Sequence, residues 1–162
     1  MTEEFADADA CWKERGSRGG TALPAARELL SALFGQRDED HPIVRWACEL
    51  ANLHYARAGE AIGATALTGN LVHEIDVWVE LNVPQHHRGL VLHTETLGTV
   101  IDHIAAAQAK VAEALSDQRG PDRLRVHTAW HRLAELVNSY DDLAGEVVRG
   151  MRRLPAPAGG GR

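Results

Sequence analysis

From Leu23 onward, apolar residues return every three or four positions, and polar or Gly/Pro breaks divide the runs. Each run predicts a helix. In "LPAARELLSALFG", Leu23, Ala26, Leu30, Leu33 and Phe34 share one face; Pro24 suits a first turn and Gly35 ends it. After the polar "QRDEDH", a second helix is expected from Pro42, capped by Asp40 or His41. Its stripe is Ile43, Ala47, Leu50, Ala51 and Ala58, with His54 inside it. The Gly-rich "AGEAIGATALTGN" either continues this helix weakly or breaks it near Gly69. The third run, Leu71 to about Asn82, turns Leu71, Ile75, Trp78 and Val79 inward and stops before Pro84. A fourth is expected from a Thr94 cap to Leu115, with Leu97, Ile101, Ile104, Gln108, Val111 and Leu115 as its stripe. The last carries Val126, Trp130, Leu133, Val137, Tyr140, Ala144, Val147 and Met151, steps that alternate four and three as in a bundle seam.

Four or five such helices with short connections predict an all-α, antiparallel helix bundle with disordered termini. No alternating run with hairpin chemistry appears, so no sheet is expected. The length, 162 residues, suits one domain with a sizeable core. Residues 1–20, ending "RGSRGG", read as a disordered N-terminal tail, 21–154 as the bundle, and 155–162, "PAPAGGGR", as a second tail.

Charge and composition narrow the function classes. The net charge of −6 argues against a nucleic-acid partner, whose footprint is a basic patch; Arg149, Arg152 and Arg153 read as complements to a helix C-terminus. No stretch nears the roughly 18 apolar residues of a membrane span, and the acidic "MTEEFADADACWKERG" lacks an apolar signal core. Cys11 and Cys48 cannot build a disulfide framework, so a soluble, cytoplasmic protein is expected.

Several polar residues sit where an ordinary bundle would not need them. Glu95, Gly98 and Asp102 share a face beside the fourth helix's apolar stripe, and Gly98 costs about 1 kcal/mol of helix stability against Ala. Such a glycine leaves room for another backbone or a ligand. Glu95 and Asp102 fit two readings equally: first-turn and solvent-facing charges, or an inward polar cluster. On the third helix, His73, Glu74 and Asp76 crowd into four positions of "NLVHEIDVWVELNVP", with Asp76 flanking the buried stripe. His54, and His93 just before the fourth helix, add imidazoles. Carboxylates desolvated near imidazoles have shifted proton affinities, which acid–base chemistry exploits. His127 and His131, four apart, lack a clear third ligand and read as surface residues.

The absent motifs exclude more. Three residues after Glu74, Glu95 and Glu135 stand Val77, Gly98 and Asn138, so no di-iron Glu-x-x-His pair exists. "HEIDV" places Val77 where a zinc hydrolase needs its second His. No Walker loop, dinucleotide fingerprint or nucleophile elbow occurs, and the residues name no metal or cofactor.

The stretches "HPIVRWACELANLHYARAGEAI", "TGNLVHEIDVWVELNVP", "LHTETLGTVIDHIAAAQ" and "WHRLAELVNSYDDLAGEVVRGMRRLP" together resemble a bacterial domain-of-unknown-function family, DUF4254, frequent in actinobacteria. The resemblance spans roughly His41 to Pro155. Its signatures fall on His73, Glu74, Ile75, Asp76, Trp78 and Val79, and on His93, Thr94, Glu95, Gly98, Ile101 and Asp102; His103 departs from an Arg in the pattern. It implies the fold and the polar cluster but no reaction. "ETLGTVID" is more loosely similar to helical nucleotide pyrophosphatases, which hold magnesium with paired carboxylates, but Gly98 stands at a ligand position.

The leading expectation is a small polar ligand held in the bundle for acid–base chemistry in a biosynthetic pathway. Glu95, Asp102 and His73 would be the catalytic groups, and His54, Glu74, Asp76, His93 and Gly98 the binding ones. The rival is an accessory or interaction module without catalysis, its last-helix seam continuing into a homodimer. A metal-dependent nucleotide phosphohydrolase is third, and needs an ion between the Glu74–Asp76 and Glu95–Asp102 pairs.

Overall fold

The computed structural model describes residues 23–36, 40–56, 63–84 and 91–158. Its elements in chain order are α1 (Ala26–Leu33), α2 (Pro42–Ala56), α3 (Ala64–Asn82), β1 (Val91–Leu92), α4 (Leu97–Leu115), α5 (Arg123–Val148) and β2 (Arg152–Arg153). The helices pack on one another as an all-α bundle, and α4 is its centre, touching α2, α3 and α5. The reason lies in α4's composition. Alanines at 105, 107, 109 and 114 are buried between Ile101, Ile104 and Val111, so neighbours approach it on several sides. The expected stripe holds from Leu97 to Val111, including Gln108, but Leu115 is half exposed.

Several boundaries differ from the sequence expectation. α3 begins at Ala64, seven residues early, and runs through Gly69 without a break. The N-cap of α3 is Gly63, whose positive φ of 104° suits glycine. The cap of α4 is Thr96, not Thr94: the Thr96 side chain accepts from the Thr99 N–H at 3.2 Å. Asp122 caps α5 in the same way, through the Leu124 N–H at 3.0 Å. On α1, Leu29 and not Leu30 is fully buried.

The α5 seam faces the core at Leu133, Tyr140 and Val147, but both its ends leave it. Trp130 is 40% exposed and stacks on Phe34 with centroids 5.1 Å apart, and Met151 is also exposed. Tyr140 is fully buried, and its hydroxyl donates to the Pro24 carbonyl at 2.8 Å, tying α5 to the segment before α1. Burial pushes that phenol's pKa up, with help from the nearby charges of Asp141 and Glu28.

The expectation of no strand pairing is corrected by one short pair. β1 and β2 run parallel, Val91 opposite Arg152 and Leu92 opposite Arg153. The His93 N–H extends the pairing to the Arg153 carbonyl at 2.8 Å. Arg152 also binds Glu146, whose carboxyl pKa it lowers. Neither two-residue run carries a strand pattern; tertiary docking of the chain end creates the pair. Of the tail expected from Pro155, residues 155–158 are described, and Leu154 and Pro157 are buried. Residues 1–20 and residues 85–90, which include His86 and His87, lie outside the described residues. Among the described residues no helix is long and apolar enough to cross a membrane.

Candidate functional site

The approach of α3 to α4 is set by Gly98. A Cβ there would lie 2.4 Å from the Val72 carbonyl oxygen and 2.7 Å from Asp76 Oδ1. Of the two occupants the sequence allowed for, it is another backbone that takes the space. Asp76 fills the rest of the junction: its Oδ1 accepts the Gly98 N–H at 2.7 Å, and Thr96 hydrogen-bonds to the same carboxylate. The second N–H of α4 is thus satisfied by a carboxylate from another helix, which also complements the helix dipole. Asp76 is 7% exposed. Burial raises its pKa, against the lowering by Thr96, by the Gly98 N–H and by the charge of His73.

One turn further along α4, on the same face, stands Asp102. Its Oδ1 accepts from Nε2 of His54 on α2, at 2.6 Å, and both side chains are mostly buried, 21% and 14% exposed. A polar line therefore runs along α4, with Asp76 of α3 at one end and His54 of α2 at the other. About 6 Å of helix rise separates Gly98 from Asp102.

The other candidates are placed differently. Glu95 is exposed, its carboxylate 3.8 Å from the similarly exposed His103. The His93 ring turns back on its own chain, Nδ1 lying 2.8 Å from the Glu95 carbonyl oxygen. His73 and Glu74 are exposed on α3. Of the eight residues, then, Asp76 meets Gly98, His54 meets Asp102, and His93 meets Glu95 through its backbone. Among the described residues, no three His, Cys, Asp or Glu side chains converge as a metal site. His127 and His131 lie on the surface, ring centroids 6.5 Å apart, and His131 is 3.8 Å from Glu135.

A cleft of about 370 Å³ opens beside Asp76. Val79 and Glu80 of α3 line it together with Leu92, Leu97, Arg153 and the segment through Pro157. Glu80 was not singled out from sequence, and Arg153 was read only as a complement to a helix C-terminus, whereas it lies on β2, beyond the end of α5. The signal for Arg153 was its neighbour Leu154 with the two prolines, an apolar and stiff stretch before the polar, Gly-rich "GGGR".

These features define an all-α protein with a polar line and an adjoining cleft around one central helix. The sequence profile of the family described as Protein of unknown function (DUF4254) matches residues 67–156, more than half of the chain, and the protein belongs to that family. The matched segment holds Asp76, Gly98, Asp102 and nearly all of the cleft, but not His54. No curated protein and no solved structure matches the chain.

Proposed function

We propose that this protein binds a small polar molecule and serves acid–base chemistry, with His54 as the proton-carrying group and Asp102 as the residue that orients it. The observation that carries this reading is the 2.6 Å contact between them, residues 48 positions apart on two different helices, in a largely buried position. A carboxylate on one ring nitrogen fixes the imidazole's orientation and leaves the other nitrogen to exchange a proton. Glu95, His73 and Glu74 are dropped from the chemical roles because they face solvent.

The test is NMR of the His54 ring while mixtures of small polar metabolites are added, with Asp102→Asn alongside. The reading expects ring shifts in the native chain, lost in Asp102→Asn, and a variant that melts within about 1 kcal/mol of the native protein or above it. No ring shift with any mixture, or a loss of about 3–5 kcal/mol as for a broken structural ion pair, overturns it.

The second reading, an interaction module, has its own observation. Leu67, Leu71, Glu74, Trp78 and Leu81 of α3 recur at four and three, yet Leu67 and Leu81 are 53% and 78% exposed. Self-pairing of antiparallel copies would set the central Glu74 near itself. The stripe suits an apolar helix with a basic residue at its middle. A Leu67→Glu, Leu81→Glu variant that still captured such a peptide would refute this.

A further inference from the structure

The acid–base reading leaves the cleft beside Asp76 unused, and its walls have a chemistry of their own. Asp76 and Glu80 are four apart on α3, so their carboxylates stack on one face. Arg153 lines the cleft from β2, and the surface between is apolar, made by Val79, Leu92, Leu97 and Leu154. Neither Glu80 nor Arg153 forms an ion pair with another described residue. An ionised carboxylate offers about four acceptor positions. Asp76 spends one on Gly98 and one on Thr96, which leaves capacity toward the cleft.

We propose that this cleft binds a small aliphatic zwitterion of the amino-acid class, its ammonium at Asp76 and Glu80, its carboxylate at Arg153 and its hydrocarbon on Val79 and Leu97. Three arguments fix the class. About 370 Å³ lies at the small end of ligand pockets, roughly 300–1,000 Å³, so a nucleotide-sized ligand does not suit it. A buried carboxylate and an exposed one a turn apart on the same helix face repel, and an ammonium with its several donors relieves them as a neutral group would not. The guanidinium's forked donors match a carboxylate in two places, which selects against a bare amine.

The segment that roofs the cleft is held by the β1–β2 pair and by the Arg152–Glu146 contact. A ligand bridging α3 to Arg153 therefore stabilises the docking of the chain end as well as itself. This inference goes beyond the acid–base reading, because the cleft can fill whether or not His54 carries protons.

The experiment is calorimetric titration of the full chain with three probes: L-leucine, isopentylamine, which lacks the carboxylate, and 4-methylpentanoate, which lacks the amine. L-leucine is expected to bind with a submillimolar constant and raise Tm, each half-probe at least tenfold more weakly. Glu80→Gln and Arg153→Met alter exposed side chains and keep the fold; each should weaken L-leucine at least tenfold. Arg153→Met should leave isopentylamine unchanged. Asp102→Asn separates the two proposals: L-leucine binding retained there supports the cleft, whatever the fate of the His54 reading. Absence of L-leucine binding to the native chain, equal binding of a half-probe, or a Tm rise with magnesium chloride equal to that with L-leucine overturns the proposal.

Discussion

Gly98→Ala tests the geometry on which the α3–α4 junction depends. By helix propensity alone the change should stabilise α4 by about 1 kcal/mol. The structure predicts the opposite sign. The new Cβ would sit 2.4 Å from a backbone carbonyl oxygen, about 1 Å inside ordinary carbon–oxygen contact, and a backbone cannot swing aside like a side-chain tip. Overpacking of this kind costs about 1–3 kcal/mol. Moving α3 away also lengthens the Asp76–Gly98 bond, a cap-like interaction worth about 1 kcal/mol. After the propensity gain is subtracted, a net loss of about 2 kcal/mol remains. In a domain of this size that lowers Tm by about 4–8 °C. Gly69→Ala is the control: it lies in α3 with nothing within 4 Å of an added Cβ, and should raise Tm by up to about 4 °C. Calorimetric melts of both variants decide the matter. If Gly98→Ala melted at or above the native temperature, the close approach of the two helices would be wrong.

Three further outcomes follow from other contacts. Burial raises the Asp76 pKa, so between 3.8 and its folded value the native state holds more protons than the unfolded chain, and stability falls as pH rises through that window. Asp76→Asn keeps an acceptor for Gly98 without the charge, so in urea melts its advantage over the native protein should be absent near pH 3 and grow as pH rises; a pH-independent difference would contradict this. Tyr140→Phe leaves the Pro24 carbonyl without its buried donor and should cost about 1–2 kcal/mol, read as a lower urea midpoint at unchanged slope. Leu154→Ala should cost about 2 kcal/mol or more because the side chain is 6% exposed, where a solvated tail would lose nothing.

The helical class was legible because periodicity of 3.6 reports directly which face is apolar. Ile75, Ile101, Ile104, Val111, Leu133 and Tyr140 all stood in stripes read from spacing, and all are buried. At Gly69 the spacing left continuation and a break both open, and the helix continues, because propensity is weak against helix continuity; nothing in the spacing distinguishes its open surroundings from the crowded ones of Gly98. The candidate chemistry was readable as residue types but not as partners. Which carboxylate meets which imidazole depends on how α2 and α3 flank α4, a tertiary relation no local pattern carries. Thus Asp102 was paired in expectation with its neighbour Glu95 and is paired in fact with His54. β2 was invisible because two arginines have no strand signature of their own.

The β1–β2 pair also has a consequence for how the chain reaches its native state. Its partners are about sixty positions apart, so forming it early would require closing a long loop for a few hydrogen bonds. Consolidation of α4 against α5, joined only by residues 116–122, comes at far lower entropic cost and should lead. The strand pair would then form late, on a hairpin already in place, and its loss should speed unfolding while leaving the refolding rate nearly unchanged.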